Sequence, residues 1–179
     1  MNLLPQDVLV MLKLAVLSGK EWTYGSIAYE LGLSVSMVHS AVMRARQARL
    51  FNEHERRPRF RALEEFIIHG VKYAFVPDVG PLTRGIPTAF AAPVFRDDIG
   101  SFDDDVNIYV WPYPGGEHRG MELSPLHKSV PKAVENDRSL YDALAALDAL
   151  RIGRAREQKY AEKTLREMLH HAKMQVSVY

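Results

Sequence analysis

Residues 23–47, TYGSIAYELGLSVSMVHSAVMRARQ, constrain the fold more tightly than any other stretch of this chain. At 3.6 residues per turn, Ile27, Ala28 and Leu31 fall on one side of a first helix. Gly32 then allows the left-handed backbone that ends it, a conformation that costs a residue with a Cβ, and Ser34 is placed to cap a second helix. Two helices therefore meet across a three-residue turn. In the second, Val38, Ala41, Val42 and Ala45 share a limited arc, which leaves Ser36, Ser40, Met43, Arg44 and Gln47 on the opposite side, with Met37 and His39 flanking them. That outer face is short-chained at its start and basic further along.

In order, Ala28 as the small residue of the first helix, Gly32 four later in the turn, Leu33, and Val38 as the inward anchor resemble the helix-turn-helix pattern. The chain resembles winged helix-turn-helix regulators, broadly of the MarR type. The resemblance implies binding of double-stranded DNA, with the helix around residues 35–48 in the major groove. Three-helix units with this spacing also serve as protein-docking or purely structural modules. The basic, capped outer face favours DNA.

The flanking sequence is read on the same lines. Pro5 suits a first helical position, and Val8, Leu9, Leu12, Ala15 and Val16 supply the buried stripe of a packing helix running to about Leu17. Thr23 is a candidate N-cap near a phosphate. Downstream, Leu50 and Phe51 predict a very short strand, residues 52–57 a turn, and residues 59–61 a return strand, which together read as a small wing. Arg56, Arg57 and Arg59 are its candidate backbone or minor-groove contacts, and the alternative is a solvated loop partly neutralised by Glu53 and Glu55. The candidate DNA-binding set is then Thr23, Ser34, Ser36, Met37, His39, Ser40, Met43, Arg44, Gln47, Arg56, Arg57 and Arg59. Ser36, Ser40, Arg44 and Gln47 are the candidate base readers.

Charge is distributed accordingly. Residues 1–61 carry nine Lys or Arg against five Asp or Glu, an excess of four, whereas residues 62–115 carry three against eight. Positive charge thus accompanies the candidate reader, as a nucleic-acid partner favours.

Residues 62–75 have helical spacing, with Gly70 allowing close packing. Four prolines and two glycines in residues 76–94 predict an ordered but irregular connection, in which Arg84 either holds an anion or ties down its own loop. Asp97, Asp98 and Asp103 to Asp105 form an acidic cluster without the alternation or closing Glu of a calcium loop, so no metal is expected there. VNIYVWP and RGMELSPL, separated by Pro114, Gly115 and Gly116, predict a β-hairpin. From Pro131 onward the apolar spacing of Leu140, Leu144, Leu147 and Leu150, then of Ala161, Leu165, Leu169 and Ala172, predicts terminal helices. Their apolar face would hold a homodimer, or fold back onto its own core.

The absence of cysteine excludes disulfides, thiolate zinc sites and cysteine nucleophiles. No P-loop, GxSxG or HExxH occurs, the histidines are scattered, and His170 and His171 lie on different helix faces. No catalytic residue, metal or cofactor is expected, and neither is a membrane span; a cytoplasmic location follows by default. The expected architecture is mainly α (α+β), with a winged helix-turn-helix in residues 1–61 and an α+β extension for dimerisation or partner binding in residues 62–179. The alternatives are a DNA-binding antitoxin whose extension grips a cognate protein, and an enzyme handling a nucleotide around Arg84.

Overall fold

The computed structural model describes residues 2–95 and 108–177. It is an α+β fold of helices with two small sheets: α1 (Pro5–Val16), α2 (Tyr24–Leu31), α3 (Val35–Gln47), β1 (Phe51–Asn52), β2 (Arg57–Pro58), α4 (Phe60–His69), α5 (Val71–Ala74), β3 (Val79–Thr88), two 3₁₀ turns (Ala89–Ala91 and Pro93–Phe95), β4 (Tyr109–Pro112), β5 (His118–Leu123), α6 (Val130–Ala133), α7 (Arg138–Ile152) and α8 (Ala155–Val176). The acidic cluster Asp97, Asp98 and Asp103 to Asp105 lies outside the described residues.

The fold is assembled around α1. Pro5 supplies a pre-set φ at its first turn, and Asp7 accepts the Leu4 N–H at 2.8 Å. Every residue from Asp7 to Ala15 is buried, as expected of a helix packed on all sides rather than along one stripe. It meets α2, α3 and β2 on one side and α7 and α8 on the other. Two of its buried residues are charged. Asp7 pairs with Arg44 of α3, and Lys13 pairs with Glu30 of α2 and with Asp137 Oδ2 at 2.6 Å. Burial alone would depress the Lys13 pKa, but hydrogen bonds to Asp137 and Glu30 outweigh it and hold the ammonium above its ordinary value.

The boundary expected after residue 61 falls within the first turn of α4. A single apolar cluster crosses it, running from Val8 through Val38 and Leu63 to Leu144 and Leu169. Head and extension therefore share one core. The expected long helix over residues 62–75 is two helices, broken at Gly70, where a Cβ would lie 2.7 Å from the Phe66 ring.

Residues 79–88 form a ten-residue strand, with one register shift between Val79 and Leu82, rather than the irregular connection expected from their prolines. Pro81 sits at a bulge between Val79 and Leu82, and Pro87 lies on the stretch paired with β4 near the strand's end, so neither interrupts a long two-sided ladder. Arg84 is exposed on this strand. The expected hairpin of β4 and β5 is also corrected. Both strands run antiparallel to β3 and hence parallel to each other, with Tyr109 opposite Met121. Gly85 makes this possible: it partners both Pro112 and His118, and a Cβ there would lie 1.9 Å from the Trp111 carbonyl oxygen.

The small sheet is pinned to α7 by a buried polar knot. Asp148 Oδ2 accepts from Thr88 Oγ1 and Trp111 Nε1, each at 2.7 Å, and Asp148 Oδ1 accepts from Arg151 Nη1 at 2.8 Å. Arg151 Nε donates in turn to the Phe75 carbonyl at 2.8 Å. Among the described residues no buried side-chain polar atom is left unpaired.

The terminal helices fold back. Ala161, Leu165, Leu169 and Ala172 of α8 are buried against α7, α4 and α1. Of the two uses expected for this apolar spacing, a dimer face or packing onto its own core, these four residues take the second. No described helix is long and apolar enough to cross a membrane.

Candidate nucleic-acid interface

The local chemistry of residues 23–47 develops as their spacing predicts. Thr23 caps α2: its hydroxyl accepts the Ser26 N–H at 3.0 Å, while Ser26 Oγ accepts the Thr23 N–H at 3.0 Å. Gly32 adopts φ 63° and ψ 33°, and Ser34 Oγ accepts the Met37 N–H at 3.1 Å at the start of α3. Val38, Ala41, Val42 and Ala45 are buried. Ser36, His39 and Gln47 are exposed, and Met37, Ser40 and Met43 are half-buried.

Arg44 is the exception. It lies at the edge of the outer face, and its side chain turns back onto α1. Nε donates to Asp7 Oδ2 at 2.7 Å and Nη2 to Asp7 Oδ1 at 2.6 Å. The side chains are 11% and 1% exposed respectively. This bidentate pair raises the Arg44 pKa further and occupies the guanidinium, so Arg44 is an internal brace rather than a free reader of bases. A buried carboxylate one helix away outcompetes solvent for the fork. No feature of α3 alone reveals this; the signal is Asp7, the one acidic residue of α1.

The basic character of the α3 end is instead carried by Arg46, which is 46% exposed and bridges to Glu53 at 2.7 Å, and by exposed Arg49. The helical spacing of α3 singled out neither. Arg49 has φ 61°, which turns the chain into β1.

A two-stranded ribbon, β1 and β2, stands where the short wing was expected, displaced by up to three residues. Phe51 pairs with Pro58 and Asn52 with Arg57. Asn52 Oδ1 accepts the His54 N–H at 3.1 Å and organises the turn, and Arg56 completes it with φ 50°. Residues 59–61 do not form the return strand. Arg59 is already the N-cap of α4, and its N–H donates to the Leu50 carbonyl at 2.8 Å.

The wing arginines occupy three different settings. Arg59 is exposed. Arg57 is 32% exposed and bonds to Glu55 at 2.6 Å, which holds the Glu55 carboxyl below its usual range. Arg56 stacks its guanidinium 4.8 Å above the Trp22 ring, and its carbonyl accepts the indole N–H at 2.9 Å. Trp22 in turn meets Tyr24 edge-on at 5.4 Å and Phe51 at 6.3 Å, and Tyr24 lies 5.3 Å from the His39 ring. An unbroken aromatic series thus joins the wing to α3. Spacing alone does not group its members, because Trp22 and Tyr24 lie in the lead-in to α2 and only the fold brings Phe51 and His39 to them. A recess of about 710 Å³ lies at the wing root, walled in part by Lys20, Trp22, Thr23, Ser26, Arg56 and Arg57.

Comparison with protein-family models, curated proteins and solved structures gave no match. Among the described residues, no three His, Asp or Glu side chains are grouped where they could hold a metal ion.

Proposed function

We propose that this chain binds double-stranded DNA sequence-specifically as a winged helix-turn-helix transcriptional regulator, broadly of the MarR type. The observation that carries the reading is the arrangement of α3. A serine-capped helix presents Ser36, Ser40, Met43 and Gln47 away from the core and is followed at once by a two-stranded ribbon bearing Arg56 and Arg57, with Arg59 just beyond it at the N-cap of α4. Gln47 offers the bidentate amide that matches adenine, the serines accept or donate to either base, and Met43 supplies apolar contact for a thymine methyl. Arg46 and Arg49 extend that face in place of Arg44. Thr23, Arg57 and Arg59 fix register on phosphates, which positions the protein without reading sequence.

The reading takes the regulator as a homodimer on two half-sites about 34 Å apart. The α8 stripe is not its interface, since that stripe is buried in its own chain. One observation favours the second reading, an extension that grips a cognate protein: exposed Tyr73, Val76, Val79 and Leu82 fall within ten residues of sequence.

Selection of bound sequences from random duplex DNA tests the proposal. Recovery of a motif, with Gln47→Ala relaxing preference at one position, supports it. Absence of enrichment over unselected duplex at low salt refutes it.

A further inference from the structure

We infer that Trp22 is the positioning residue of the wing, fixing the backbone-contacting Arg57 at a set distance and angle from the reading face of α3. The inference rests on the DNA-binding reading above and names a residue through which that site acts.

The wing is too small to hold its own orientation. β1 and β2 pair over only two residues each, and a two-stranded ribbon of this length is not stable alone. Its root is held by buried Phe51 and Pro58, where β1 meets α3 and β2 meets α1, so it is the turn between the strands that needs further ties. One tie is the Arg46 to Glu53 bridge, between side chains 46% and 59% exposed, where pairing is weak and screened by salt. The other is Trp22. Its Nε1–H donates to the Arg56 carbonyl at 2.9 Å, its ring is covered by the Arg56 guanidinium at 4.8 Å, and Arg56 Nη2 reaches the Trp22 carbonyl at 3.4 Å. The wing is gripped through backbone and side chain at the one residue whose φ of 50° turns its tip. On its other side Trp22 touches Phe51 at the base of β1, and Tyr24, which leads to His39 on α3. Arg56 thus belongs to the clasp, and Arg57, next to it on β2, is what the clasp presents.

A residue acting this way changes how phosphates are neutralised without touching DNA. Each phosphate that an arginine no longer neutralises flattens the slope of log affinity against log salt by about 0.9. Trp22→Leu should flatten it by about 0.9, because Arg57 leaves the DNA backbone while Arg59, held at the N-cap of α4, stays in place. It should add nothing further in an Arg57→Ala, Arg59→Ala background. Trp22→Phe, which keeps a ring but lacks the indole donor, should fall between Leu and wild type. The test titrates full-length wild type and these variants against a selected duplex at several salt concentrations. Amide ¹H–¹⁵N spectra are recorded beside it, in which residues 51–57 should shift with Trp22 while α7 and α8 do not. Should Trp22→Leu not fold, Trp22→Phe carries the same comparison. An unchanged slope in a folded Trp22 variant, or equal further weakening in the arginine-free background, overturns the role of Trp22 alone. Failure of wild type to bind any duplex overturns the DNA reading and this inference with it.

Discussion

Replacing Arg44 separates two accounts of the same residue. Read from the sequence, Arg44→Ala removes one base contact, costs about 1–3 kcal/mol at a single base position and leaves the fold intact. Its setting in the structure gives a different result. Asp7 is fully buried and is held by two guanidinium bonds of 2.6 and 2.7 Å and by the Leu4 N–H. Truncating Arg44 leaves that carboxylate with one backbone donor and no counter-charge. Breaking a buried pair from one side costs about 3–5 kcal/mol, a large share of the roughly 5–15 kcal/mol that holds a domain together. With a urea m-value of about 2 kcal/mol/M, a loss of about 4 kcal/mol lowers the unfolding midpoint by about 2 M. Adding Asp7→Asn should recover much of this, because the amide still accepts from Leu4 but carries no stranded charge. The two changes together should then be less harmful than their sum by roughly 1–3 kcal/mol. Urea titration of the wild type, both single variants and the double variant measures the coupling. A stability for Arg44→Ala within about 0.5 kcal/mol of wild type would refute the brace, and loss of discrimination at one base pair would restore Arg44 as a reader.

Three further outcomes follow from particular side chains. Burial raises the Asp148 carboxyl above its ordinary value, against the opposing pull of Arg151, Thr88 and Trp111. The folded state then holds the proton more tightly than the unfolded one, so wild-type stability should decline as pH rises from about 3.8, while Asp148→Asn lacks that decline; a pH-independent difference between them in urea would contradict it. Removing residues 154–179 should abolish folding rather than yield monomers, because burial of Leu165 and Leu169 alone contributes about 1.5–3 kcal/mol each; a soluble, cooperatively melting truncation would count against the shared core. Arg57→Ala with Arg59→Ala should flatten the salt dependence of DNA binding by about 1.8 units, almost uniformly across sequences, and a loss confined to A·T-flanked sites would instead place an arginine in a narrow minor groove.

Local chemistry was legible where it is local. Thr23, Gly32 and Ser34 cap and stop helices through atoms within three residues, so their roles could be read from spacing, as could the inward arc of Val38 to Ala45. Strand register and side-chain direction were not legible, because partners distant in sequence decide them. Arg44 sits within reach of both solvent and Asp7, 37 residues away, and the buried carboxylate prevails. Trp22 and Arg56 are 34 residues apart. The prolines of β3 signalled irregularity, but pairing with two strands, each over part of its length, accommodates them. The apolar spacing of α8 correctly marked a buried face and carried no information about whose surface buries it.

That last ambiguity explains why the motif cannot be treated as a separable head. A three-helix unit usually buries its first helix against the other two and leaves the remaining side to solvent or to a partner. Here that side of α1 is covered by α7 and α8 from the same chain. The two buried charges of α1 face different neighbours: Asp7 holds α3, whereas Lys13 holds both α2 and the N-cap of α7. Packed helices shift between discrete arrangements rather than deforming continuously, so a displacement of α7 large enough to break the Lys13 bridge reaches α2 and α3 through α1 without crossing a flexible linker. The orientation of α3 is therefore tied to the extension through α1 as well as to the turn at Gly32, and variants in the α7 cap bear on how α3 is held.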